Sequence, residues 1–155
     1  MTPGRGAAGP DRPRHRRLIE AWRLCRAGFA DLTGAGAQAW GGRWNSPGRP
    51  VVYAADHPAL AVLEVRVHLD LPPDLIPADY VLLRLQLPDA ESLATPPDDP
   101  RAVGDAWLKA NTSPVLRVPS VLVPHAWNLL VNPRHADVGA IREQIPFGFD
   151  QRLWG

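Results

Sequence analysis

Four polar side chains stand where neither a turn nor a hydrophobic run requires them. Arg43 lies in "GGRWNSPG", residues 41–48, whose Gly, Asn and Pro account for a bend but not for a guanidinium. Tyr53 sits inside the apolar run "VVYAA". Glu64 interrupts "LAVLEVRVH", and Ser120 falls in the otherwise aliphatic "VPSVLVP". A loop cation, a strand phenol, a helix carboxylate and a strand hydroxyl brought to one cleft suit an anionic ligand carrying an aromatic ring and a sugar.

Each of these residues also has a structural explanation. By helical periodicity Glu64 shares a stripe with Leu60, Val67, His68 and Leu71. An acid on an apolar stripe needs a partner, because an isolated buried charge is costly, and Arg43 or Arg66 would be that partner. Tyr53 reads equally as a core aromatic whose hydroxyl finds a hydrogen bond. Ser120 has no G-x-S-x-G elbow and no adjacent base, so it also reads as a small core residue satisfied by backbone. Trp44 is either a wall of the cleft or the anchor that packs the loop.

Other candidate motifs fail on context. "GAGAQA", residues 34–39, matches a dinucleotide fingerprint on paper, but no apolar strand precedes it and Gly41, Gly42 and Pro47 follow. The spacing predicts a loop over 31–42. The five histidines form no H-x-x-x-H pair and have no cysteine at ligand spacing, so no metal site is expected. Cys25, the single cysteine, is expected to pack as a small hydrophobe.

The elements that must position these residues are legible in outline. A short helical or turn lead-in is expected from Arg16, then a strand over 21–26. "RPVVYAAD" reads as a buried strand. Pro58–Leu69 is the clearest helix, with Asp56 as its cap and proline in its first turn. "YVLLRLQLP" alternates, placing Leu83, Leu85 and Leu87 on one strand face. A short helix is expected over 101–109, then strands in "VLRVPSVLVP" and "AWNLLV", the latter running into an Asn-Pro turn. "FGFDQRLW" is expected to close the chain as a strand or hairpin edge. This order lacks regular β-α alternation and predicts an α+β domain with a mixed, mostly antiparallel sheet and a few helices.

At 155 residues, with 45% hydrophobic and 21% charged residues, the chain suits one globular domain. The lone cysteine suits a reducing, cytoplasmic setting, and no apolar run is long enough for a membrane span. Residues 1–17 carry a charge of +4 and the remainder −3. The first stretch is expected to be a solvated, disordered basic tail before a single domain over 18–155. No direct nucleic-acid binding is expected, because the body offers no basic patch to extend the tail.

The segments "AWRLCRA", "GAGAQAWGGRWNSPGRPVVYAAD", "LAVLEVRVH" and "VPSVLVPHAWNLLVNPRHAD", taken in order, resemble the RES-domain family over roughly residues 18–154. The resemblance implies a toxin of a bacterial toxin–antitoxin module, with a fold similar to the diphtheria-type ADP-ribosyltransferases around a central cleft. It also implies that NAD⁺ is a substrate rather than a cofactor, broken at the nicotinamide–ribose bond by hydrolysis or phosphorolysis. The alternative is ADP-ribosyl transfer to a macromolecule. The implied partner is a cognate antitoxin with a helix-turn-helix DNA-binding part. Matched motif by motif, Arg43, Tyr53 and Glu64 correspond to catalytic positions. Arg23, Ser120 and Asn132 correspond to NAD-binding positions.

Overall fold

The computed structural model describes residues 17–155; the proposed basic tail lies almost wholly outside the described residues. The chain forms β1 (Ile19–Arg26), α1 (Ala35–Trp40), β2 (Val52–Ala55), α2 (Pro58–His68), β3 (Tyr80–Leu87), β4 (Glu91–Ser92), α3 (Pro100–Ala110), β5 (Val115–Pro119), β6 (Trp127–Val131) and β7 (Ala140–Pro146). The seven strands make one sheet in the order β4-β5-β6-β2-β1-β3-β7. Every neighbouring pair is antiparallel except β4 and β5. This is the α+β, mostly antiparallel architecture expected from the element order.

Period-two patterning sets the sheet. In β3, Leu83, Leu85 and Leu87 are completely buried. They share one face with Ala21, Cys25, Val52, Ala54, Leu129 and Val131 in the largest core cluster. Cys25 packs there as a small hydrophobe, and burial pushes its thiol pKa up.

The opposite face carries two separate clusters. One gathers Trp44, Val51, Trp107, Leu116, Val118 and Leu130 under α3. The other gathers Leu24, Ala55, Leu60, Ala61 and Tyr80 under α2. A cleft of about 680 Å³ draws its lining from both.

Several local expectations are corrected. His57, not Asp56, caps α2: its Nδ1 accepts from the Ala59 amide at 3.0 Å. The helix packs through Leu60 and Ala61, with Val65 partly buried beside them, and it ends at His68; Val67, His68 and Leu71 are exposed rather than part of the buried stripe. The stretch over 31–42 is not all loop. Gly34 adopts φ 70°, and a six-residue helix follows until Gly41, at φ 73°, ends it.

The chain end is not a strand. Pro146 terminates β7, and residues 151–154 form a 3₁₀ turn capped by Asp150, which accepts from the Arg152 amide at 2.9 Å. Edge-to-face contacts link Tyr80, Phe149, Phe147 and Trp154. The Trp154 indole donates to the Leu71 carbonyl at 2.9 Å.

Candidate active site

The cleft begins where the sheet comes apart. β1 and β2 share a single register pair, Trp22 with Ala55, whereas β1 pairs with β3 along its whole length. Arg23 and Leu24 on one strand and Tyr53 and Ala54 on the other line the opening beyond that pair. α2 and the loop after β5 supply the remaining walls through Glu64, His68, Val121 and Leu122.

The loop 41–50 is held by its own asparagine. Asn45 is fully buried, and its Nδ2 donates to the carbonyls of Ala37 at 2.8 Å and Arg49 at 2.9 Å. Its Oδ1 accepts from the Tyr53 hydroxyl at 2.6 Å, and that hydroxyl accepts in turn from the Trp44 amide at 3.0 Å. Tyr53 therefore latches the loop to β2. Burial is the main reason its pKa is pushed up to about 12, against smaller opposing effects of the Trp44 amide and Arg101. The phenol stays neutral at physiological pH.

α3 fixes the loop from the far side. Arg101 donates to the Gly42 carbonyl at 3.1 Å, and the Asp105 carboxylate accepts from the Ser46 amide at 2.8 Å. Burial alone would raise the Asp105 pKa, but hydrogen bonds from the Ser46 hydroxyl and amide, with Arg49 and Arg101 nearby, bring it below the usual carboxylate value. Trp44, 5% exposed, is buried in the same cluster as Trp107, which makes it the anchor of the loop as well as a residue of the cleft lining.

This scaffold leaves Arg43 exposed at the cleft, with no hydrogen bond or ion pair to any described residue. Arg23 is different. Its guanidinium donates to the carbonyls of Phe29 at 2.6 Å and Asp31 at 3.1 Å, which ties β1 to the following turn.

Glu64 lines the cleft with its Oε1 buried and without a hydrogen-bond partner among the described residues. The Glu64–Arg66 pair considered from helical spacing does not form. Arg66 turns away, donating to Leu153 and Leu69 carbonyls and stacking 4.1 Å over the Trp154 ring. Leaving a buried carboxylate oxygen without a hydrogen bond costs on the order of 2 kcal/mol or more. That unsatisfied oxygen belongs to a residue that lines the cleft.

Two sequence candidates stand apart from this group. Asn132 is buried, donating to the Asn111 side chain at 3.0 Å and accepting from the Arg134 amide at 3.1 Å; it is absent from the cleft lining. Ser120 lies just past β5, and its hydroxyl accepts from the amides of Leu122 and Val123, both at 3.1 Å. It shapes the loop whose Val121 and Leu122 form the cleft wall.

Sequence reasoning missed the tether at Asn45 and the lining residue Asn128. The signal for Asn128 was a single polar residue inside "WNLLV"; nothing in the sequence distinguishes the buried Asn45 from an ordinary turn residue. Among the described residues, no cluster of three or more His, Cys, Asp or Glu could hold a metal, and no helix is long and apolar enough to cross a membrane.

Fold and site together define an α+β domain with a split sheet, whose cleft is lined by an arginine and by a glutamate with one buried oxygen, neither of which has a hydrogen-bond partner for those groups among the described residues. The RES domain family model matches residues 20–154, and the chain belongs to that family. Relatives include a protein named "Toxin Res" from Pseudomonas putida, 39% identical over 86% of this chain and 98% of its own length. A "Prs ADP-ribosylating toxin" from a Sphingobium species is 38% identical over 72% of this chain and 78% of its own length. The fold is similar to a chain of the M. tuberculosis MbcT–MbcA toxin–antitoxin complex, with a TM-score of 0.70, 22% identity and 86% of each chain covered.

Proposed function

We propose that this protein is the toxin of a toxin–antitoxin module and that it destroys NAD⁺ in the cytoplasm by cleaving the nicotinamide–ribose bond. The observation that carries this reading is the buried Glu64 carboxylate oxygen, without a hydrogen-bond partner among the described residues, in a cleft also lined by Arg43, which no described residue engages. RES-family membership and relatives named as toxins support it.

When the C1′–N bond breaks, its electron pair leaves with the pyridine nitrogen and nicotinamide departs neutral. No general acid is required on that side. Positive charge develops on the ribose, and Glu64 stabilises it electrostatically in a partly dry site. Water attacks C1′ and releases a proton, giving ADP-ribose, or phosphate attacks and gives the 1″-phosphate. Arg43, rather than the already engaged Arg23, clamps the pyrophosphate with its guanidinium fork. The Tyr53 ring, held by its hydroxyl, stacks on the nicotinamide. Ser120 acts by shaping the wall rather than by attack. A cognate antitoxin bearing a helix-turn-helix part neutralises the enzyme.

Glu64→Gln keeps the shape and removes the charge. The folded variant should lose at least about a hundredfold in NAD⁺ cleavage, the scale of losing one electrostatic stabiliser, while its melting temperature holds or rises. Wild-type turnover in a folded Glu64→Gln protein defeats the assignment. A second reading, transfer of ADP-ribose to a macromolecule, is favoured by the Sphingobium relative's name. Incubation with labelled NAD⁺ separates the two: label on protein or nucleic acid supports transfer, and free ADP-ribose or its phosphate supports breakdown.

A further inference from the structure

Asn128 has no role in any of the above, yet it occupies the cleft floor. It lies in β6, directly opposite Ala55 of β2 on one side and Val118 of β5 on the other. Ala55 is in turn opposite Trp22 of β1. Residues directly opposite in antiparallel strands share a face, as do residues two apart in one strand. Asn128 is therefore the only amide in a row formed with Val118, Ala55 and Trp22, and it stands on the face that carries Tyr53.

Asparagine is depleted in strands, so its presence in a central strand calls for a compensating contact. The buried Asn45 and Asn132 show what a structural asparagine looks like in this fold, since each engages both its amide nitrogen and its carbonyl. The half-buried Asn128 side chain makes no hydrogen bond to any described residue, and it lines the cleft. Its backbone is held by ladders on both sides, which fixes where the amide is presented.

We infer that Asn128 is a specificity-determining residue that reads the carboxamide of the leaving pyridine; this rests on the NAD⁺ reading above. A side-chain amide offers one acceptor and a donor pair in a single plane. A carboxamide presents the complement, so two roughly parallel hydrogen bonds form. An acetyl group in the same place keeps the acceptor and loses the donor, leaving the Asn128 carbonyl facing a methyl. Sites built to bond a polar group reject the analogue that lacks it, because the protein group is left unpaired.

The test compares equilibrium binding of NAD⁺ and its 3-acetylpyridine analogue, which has the same charge, in the Glu64→Gln background so that neither is consumed. With Asn128 intact, NAD⁺ should bind about tenfold tighter, the scale of one hydrogen bond in a buried site. Asn128→Ala should bring the ratio to about one. Asn128→Asp should keep or widen it, because the carboxamide N–H still finds an acceptor. Circular dichroism and melting temperature should show that both variants fold, as expected for a side chain that makes no hydrogen bond to any described residue. A folded Asn128→Ala protein that keeps the wild-type ratio overturns this inference and leaves the NAD⁺ reading standing. If neither the wild-type nor the Glu64→Gln protein binds either dinucleotide, the NAD⁺ reading itself fails and takes this inference with it.

Discussion

Replacing Gly104 by alanine sets two effects of opposite sign against each other. In an exposed helix interior the change stabilises by about 1 kcal/mol, because glycine gives up more backbone freedom. In α3, however, an added Cβ would lie 1.8 Å from the Trp44 carbonyl oxygen and 2.8 Å from the Trp44 carbonyl carbon. Opening the first contact from 1.8 to even 3.0 Å requires a shift of 1.2 Å between helix and loop. Nothing there gives easily, since the Trp44 amide is bonded to Tyr53 and the Trp44 side chain is buried in the cluster under α3. Overpacking typically costs 1–3 kcal/mol, sometimes more. A backbone obstacle puts this case at the upper end, so the net loss should be about 2 kcal/mol after the propensity gain. For a domain of this size that lowers the melting temperature by roughly 4–8 °C. Urea and thermal unfolding of Gly104→Ala measure it directly, and NAD⁺ cleavage should fall with it because the same loop carries Arg43. A melting temperature at or above wild type would show that the close approach of α3 to the loop does not constrain the domain.

Three further outcomes follow from the same contacts. The raised Tyr53 pKa makes stability depend on pH: the contribution is complete below about pH 10, where the unfolded phenol is still protonated, and is lost as pH rises through about 12; Tyr53→Phe should remove that dependence in urea melts, and an unchanged profile would contradict it. Asn45→Ala strands the Ala37 and Arg49 carbonyls and the Tyr53 hydroxyl together, so it should destabilise by about 3 kcal/mol or more, and a loss under 1 kcal/mol in denaturant titration would argue against the tether. Ser120→Ala should cost about 1 kcal/mol through the two amides it releases; a loss of catalysis without any loss of stability would instead give the hydroxyl a direct role at the ligand.

The elements read well from sequence wherever one periodicity ran unbroken. The alternation in Tyr80–Leu87 placed three leucines on the core face, and the absence of glycine between Pro58 and His68 marked α2. Reading failed where the decisive interaction was non-local or very short. The helix over 35–40 spans six residues between two left-handed glycines, too short for any periodicity to declare itself. "FGFDQRLW" has strand-like composition, but its aromatics stack on one another and on Tyr80, and Arg66 reaches across to Trp154. In the site, Arg23, Arg43, Tyr53 and Glu64 all line the cleft, with the Arg23 guanidinium held by backbone carbonyls, whereas Asn132 lies outside the lining and serves a turn.

By itself the sequence determined the α+β class, the strand faces, the helix carrying Glu64 and the family to which the chain belongs. These follow from local periodicity, turn chemistry and the order of short motifs, all of which lie along the chain. The tertiary structure alone decided which polar groups the described residues engage and which they leave without a partner. Glu64 had a possible partner two residues along the chain in Arg66, but side chains at that spacing do not face each other on a helix; that arginine is drawn to residues 153 and 154, and the Glu64 Oε1 keeps no hydrogen-bond partner among the described residues. Arg43 and Arg23 are the same residue type, separated only by what the fold brings near them. Asn128 acquires its place from strands on either side that are distant in sequence. Hydrogen-bond partnership in a buried cleft is a property of three-dimensional neighbours, and no spacing along the chain encodes it.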